Sequence, residues 1–146
     1  MCVAAGCRNL IALPGERRGM SREEGAEHAV EILKRIAPYA ERKGVYVSME
    51  VTNSKVPGDN RTDQVFDDIH WGFDVCRRTG SPNIKVVYDM YHVQIMNGDV
   101  VRTMRDNLGA ICHVHVAGVP TRGEIDHNEL DYRFIARQIV DMGYDG

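Results

Sequence analysis

Apolar positions change their period along the chain. Asn9-Leu10-Ile11-Ala12-Leu13 is an apolar run halted by Pro14-Gly15, which predicts a first strand followed by a polar loop. Beyond Ser21 the period lengthens, and Ala26, Val30, Leu33, Ala37 and Ala40 fall at helical spacing. Ser21-Arg22-Glu23-Glu24 is a capping-box pattern that opens this helix, and Gly44 closes it. Pro38 predicts a kink there, or the end of the regular part. Val45 to Glu50 reads as a second strand, followed by a loop holding Pro57-Gly58-Asp59-Asn60. Val65, Ile69, Phe73 and Cys76 predict one face of a helix stopped by Gly80-Ser81-Pro82. Ile84 to Asp89 gives a third strand, then an irregular loop from Met90 to Gly98 and a short helix around Val100, Met104 and Leu108. Ile111 to His115 gives a fourth strand. After a polar loop, Asp131 is placed to cap a helix that turns Ile135, Ile139 and Met142 inward and ends at Gly143.

Strands alternating with helices call for a parallel sheet with right-handed crossovers, so the expected class is α/β: four consecutive βα units, part of a (β/α)8 barrel. At 146 residues the chain is too short for a complete barrel, which usually takes about 250, and it reads as a single domain, 1–146. Alternation along the strands sets Tyr46, Ser48 and Glu50 on one face with Lys85, Val87 and Asp89, and with His113 and His115. Cys112, Val114 and Val116 are expected to face the opposite way. The more polar faces would point into a barrel, and the apolar ones toward helices.

Charge narrows the field. Charged residues make up 27% and the net charge is −3, without the basic excess of a nucleic-acid binder; Arg17-Arg18 and Arg77-Arg78 are too short to make such a patch. No stretch approaches membrane-spanning length, and Met1 to Cys7 lacks the charged leader and apolar run of a secretory signal. Cys2, Cys7, Cys76 and Cys112 show no C-x-x-C spacing and read as reduced thiols, so a cytoplasmic location is expected. Trp71 is assigned to the core, and His28 and His127 to solvent.

Three of the predicted strands end in residues that bind metals: Glu50, Asp89 and His115. Parallel barrel strands deliver their last residues to one rim, where the active site of that fold lies. Glu50-Val51-Thr52-Asn53, Tyr88-Asp89-Met90-Tyr91-His92 and His113-Val114-His115-Val116-Ala117, in this order and at βα spacing, resemble the xylose-isomerase-like barrel superfamily, and most closely its hydroxypyruvate isomerase branch. Gln94 to Gly98, the stretch from His113 to Arg122, Glu129-Leu130-Asp131-Tyr132 and Gly143-Tyr144-Asp145-Gly146 extend the likeness over the whole chain.

The resemblance implies strands four to seven of the family barrel, its C-terminal half without the last strand. It also implies a divalent cation (Mg, Mn or Co) held by Glu50, Asp89 and His115, the family's fourth ligand being a glutamate on the eighth strand. Glu50 would be both ligand and base. His92 would hydrogen-bond a substrate oxygen, Asn53 would belong to the substrate site, and Arg122 would clamp a substrate carboxylate. The implied reaction is a metal-dependent isomerisation, hydroxypyruvate to tartronate semialdehyde, or a related keto-sugar isomerisation or epimerisation, by proton transfer next to a carbonyl. Histidine at position 115 is more typical of keto-sugar 3-epimerases, whereas hydroxypyruvate isomerases often carry glutamine, so both substrate classes stay open.

Blander roles stand beside these. Glu50 alone would be a solvated or salt-bridged loop residue, Asp89 a turn cap, His113 an interior histidine, His92 a solvated loop residue and Arg122 a surface charge. Two other functions compete: an abasic-site endonuclease-like phosphodiesterase, and a non-catalytic half barrel that folds by association. Four βα units leave two open sheet edges, and two copies would supply eight strands, so a homodimer or higher oligomer is expected.

Overall fold

A computed structural model describes residues 2–58 and 63–146. Asp59 and Asn60 of the predicted Pro57–Asn60 loop lie outside the described residues. The strands are β1 (Asn9–Ala12), β2 (Tyr46–Glu50), β3 (Ile84–Asp89) and β4 (Ile111–His115), all parallel and hydrogen-bonded in the order β1-β2-β3-β4. The helices are α1 (Arg22–Lys43), α2 (Ile69–Thr79), α3 (Met90–Met96), α4 (Val100–Asp106) and α5 (Tyr132–Asp141). Among the described residues no helix is long and apolar enough to cross a membrane.

The capping box of α1 is complete: Glu24 N donates to Ser21 Oγ at 3.2 Å, and Ser21 N donates to Glu24 Oε2 at 2.8 Å. Such a cap contributes about 1 kcal/mol. Ala26, Val30, Leu33, Ala37 and Ala40 all turn into the core. Of the two outcomes expected at Pro38, the helix does not end there but runs on to Lys43. Pro38 lies on the exposed face, where water can satisfy the carbonyl that loses its partner.

The core fills the space between α1, α2 and the outer sheet face, where Met49, Ile84, Val86 and Tyr88 are almost wholly excluded from water. Full burial of one such aliphatic side chain stabilises by about 1.5–3 kcal/mol. The buried Tyr88 hydroxyl donates to Val100 O at 2.9 Å, and Trp71 Nε1 donates to Arg22 O at 2.9 Å.

Four local expectations are corrected. Val65 is buried but precedes α2, because Asp68 accepts from His70 N and starts the helix at Ile69. Leu108 lies outside α4, in a 3-10 turn (Leu108–Ala110), the helix having ended where Asn107 Nδ2 donates to Thr103 O. The stretch after Asp89 is no loop: Met90 to Met96 form α3. Cys112 does not oppose the Ser48 face. A register irregularity between Val86 and Val87 opposite β4 turns its Sγ to within 2.8 Å of Ser48 Oγ.

Candidate metal centre

Register places the three strand ends together. Glu50 closes β2, Asp89 closes β3 and pairs with His115, which closes β4. His115 Nδ1 lies 2.9 Å from Glu50 Oε1 and 3.8 Å from Asp89 Oδ2, and one ligand atom from each residue lies within 4.8 Å of the other two. Asp89 is buried, while Glu50 and His115 are partly open to the rim. Two carboxylates brought this close out of bulk water repel each other, which a cation would relieve.

The donor set suits a hard divalent ion. Ligands about 2.1 Å from such a cation stand about 3 Å apart when adjacent and about 4.2 Å when opposite, and the separations of 2.9 and 3.8 Å fall within that range. Two oxygens and one imidazole nitrogen fit Mg²⁺, Mn²⁺ or Co²⁺ better than a closed structural zinc site.

Asp89 divides its two oxygens. Oδ1 caps α3, accepting from Tyr91 N at 2.9 Å and His92 N at 3.3 Å, while Oδ2 faces His115 and, at 3.8 Å, His92 Nε2. The capping role therefore coexists with a place in the donor cluster.

His92 is on α3 and only 2% exposed, so it is not the solvated loop residue of the blander alternative. Its Nδ1 lies 2.8 Å from Asn53 Nδ2. Val56 N donates to Asn53 Oδ1 at 2.9 Å, which fixes the amide and makes Nδ2 the donor toward the ring. His92 Nδ1 must then accept, leaving Nε2 to carry the proton, on the side facing Asp89. Asn53 thus sets the tautomer of His92.

Arg122 is exposed on the loop after β4, and its guanidinium carbon lies 5.3 Å from the centroid of the Tyr91 ring. His113 is half-buried, with its ring edge-on to His115 at 5.1 Å. Tyr132, at the start of α5, donates to Ala117 O at 2.8 Å. Burial raises its hydroxyl pKa, partly offset by the Ala117 carbonyl, and the charge of Asp89 adds to the rise. Sequence reasoning assigned no role to Tyr91. The one signal was its position between Asp89 and His92, since neighbours of two site residues are held where those residues are.

The family model described as "Xylose isomerase-like TIM barrel" matches residues 1–146. The 2-oxo-tetronate isomerase of Cupriavidus necator is 37% identical over 120 residues, covering 80% of this chain and 44% of that protein. Hydroxypyruvate isomerase of Escherichia coli is 28% identical over 150 residues, 98% of this chain and 54% of that protein. The crystal structure of an AP endonuclease, family 2, from Brucella melitensis superposes with a TM-score of 0.91 at 31% identity, over 99% of this chain and 55% of that one. The chain spans about half the length of the curated relatives it matches.

Proposed function

The chain belongs to the xylose isomerase-like TIM barrel family, and on that premise we propose that it works as a metal-dependent isomerase of small keto acids or keto sugars, moving a proton between carbons beside a carbonyl. The convergence of Glu50, Asp89 and His115 on one rim carries the proposal. It is supported by the isomerase names of the Cupriavidus necator and Escherichia coli relatives.

Glu50, Asp89 and His115 would hold the cation, which when bound supplies Lewis acidity to a substrate carbonyl oxygen. Glu50 directs Oε1 toward the cluster and keeps its second oxygen to take and return the substrate proton. His92, kept in the Nε2–H form by Asn53, donates to a substrate oxygen. Arg122 binds a substrate carboxylate through its planar fork. Hydroxypyruvate and 2-oxo-tetronate are the substrates this arrangement favours.

The name of the Brucella melitensis structure raises the alternative of a phosphodiesterase. An acidic chain with a net charge of −3 is poorly suited to a polyanion, and an isomerase is preferred. The edge strand β1 leaves Leu10 and Ile11 47% and 43% exposed, which supports assembly into a homodimer or higher oligomer. All four cysteines are free, in keeping with a cytoplasmic setting.

Deuterium incorporation tests the proposal. In deuterated buffer with Mn²⁺, hydroxypyruvate or a keto sugar should take up deuterium beside its carbonyl, and Glu50→Gln should abolish uptake. Uptake that is absent, or indifferent to Glu50→Gln, contradicts it.

A further inference from the structure

β4 reaches the rim one residue out of step with an ordinary strand. Ile111 pairs with Val86, but the next pair along is His113 with Val87, so two residues of β4 answer one step of β3 and Cys112 is the extra one. The apolar pattern calls for this step. Ile111 and Val114 both pack against the core beneath the helices, and because side chains alternate, positions three apart face the same way only when a residue is inserted between them. In an unbroken ladder from Ile111, Cys112 would lie beside Val87 and Val114 beside Asp89, turning His115 away from the other donors. With the extra residue, His115 falls beside Asp89, and its Nδ1 comes within 2.9 Å of Glu50 Oε1.

Cys112 is held from two sides. Its thiol donates to Val86 O at 3.5 Å, at the step where the ladder is interrupted, and its Sγ lies 2.8 Å from Ser48 Oγ. A thiol has one hydrogen, so with that hydrogen on Val86 O the Ser48 hydroxyl donates to sulfur. Burial raises the Cys112 pKa, against the Ser48 hydrogen bond, which keeps the thiol protonated. Ser48 is fully buried on β2, two residues before Glu50 and on the same strand face. The contact thus ties the extra residue of β4 to the strand that supplies Glu50, across β3, which supplies Asp89.

We propose that Cys112 is a positioning residue of the donor cluster: as the extra residue of β4, locked to Ser48, it fixes the phase and height at which His115 meets Glu50 and Asp89. The proposal rests on the metal-dependent isomerase reading and adds to it the element that sets the imidazole in place. Cys112 acts through His115, so its loss should change cation affinity in a protein that stays folded.

Calorimetric Mn²⁺ titrations of the parent, Cys112→Ser, Cys112→Val and Ser48→Ala test it, with folding of each protein checked by circular dichroism. Cys112→Val removes both hydrogen bonds and should weaken Mn²⁺ about tenfold or more, as losing a support that orients a ligand does. Ser48→Ala should weaken it too. Cys112→Ser can still donate to Val86 O and accept from Ser48, and should bind Mn²⁺ like the parent. A folded Cys112→Val that binds like the parent, or a Cys112→Ser that loses as much as Cys112→Val, overturns the proposal. If Cys112→Val does not fold, Ser48→Ala decides: weakened binding supports the proposal and unchanged binding overturns it. If the parent binds no Mn²⁺, the isomerase reading fails separately, and the positioning is read without metal from the nitrogen chemical shifts of the His115 ring. Shifts displaced in Ser48→Ala and retained in Cys112→Ser support it, and shifts unmoved in both overturn it.

Discussion

His115 Nδ1 lies 2.9 Å from Glu50 Oε1 across 65 residues of sequence. Neither residue touches the other through local chain geometry. The contact exists because β2, β3 and β4 are neighbours in one parallel sheet and end at the same height. Asp89 lies on the strand between them, so the three donors follow from topology.

Asp89 joins two jobs that substitution can separate. Asparagine is as good an N-cap as aspartate, whereas alanine forfeits the cap at about 0.5–2 kcal/mol. Asp89→Asn should therefore keep the melting temperature close to that of the parent and lose divalent-ion affinity, while Asp89→Ala loses both. Thermal unfolding beside a Mn²⁺ titration checks this, and a large fall in stability for Asp89→Asn would argue against the division of its oxygens.

Asn53 fixes the proton on His92. Nitrogen chemical shifts of the ring should show the Nε2–H tautomer in the parent. Asn53→Leu removes a hydrogen bond to the ring and another from Val56 N, with an expected cost of about 1–3 kcal/mol. A parent ring in the Nδ1–H form would refute the assignment.

Much of this was legible before any coordinates, and the failures have physical causes. Strand ends at Glu50, Asp89 and His115 were readable because each closes a short run rich in apolar and β-branched residues. The helical face of α1 was readable because its cap, its spacing and Gly44 agree. α3 was not: seven residues carry too little periodicity to register, and the cap that starts it, Asp89, also belongs to the candidate donor cluster. Val65 fell in register with α2, yet a cap at Asp68 overrides periodicity. Cys112 was misassigned because a strand irregularity reverses facing without marking the sequence. The Arg122–Tyr91 contact joins residues far apart in the chain, which no local pattern encodes.

Close packing supports the α2 side of the scaffold. A methyl group at Gly72 would overlap the buried Phe66 ring, so Gly72→Ala should destabilise by about 1–3 kcal/mol despite the better helix propensity of alanine. Chemical denaturation measures it; a stabilised variant would contradict the packing described.

Thiol chemistry should follow burial. Burial pushes the Cys76 thiol up from its ordinary 9.0 to about 12 and raises that of Cys112, against the Ser48 hydrogen bond. Cys7 is exposed. In native buffer near pH 8 a maleimide should label Cys7 and spare Cys76 and Cys112, as mass spectrometry of peptides would show. A folded value above the unfolded one means that the stability Cys76 contributes is fully present below pH 9 and is lost as pH rises through about 12.

The central claim is that Glu50, Asp89 and His115 form one divalent-ion site, and calorimetric titration of the purified chain with Mn²⁺ tests it most directly. Saturable binding at one site, abolished by Glu50→Gln and by Asp89→Asn in proteins that remain folded, is the result expected. Binding that is absent, or that persists unchanged in both variants, would contradict it.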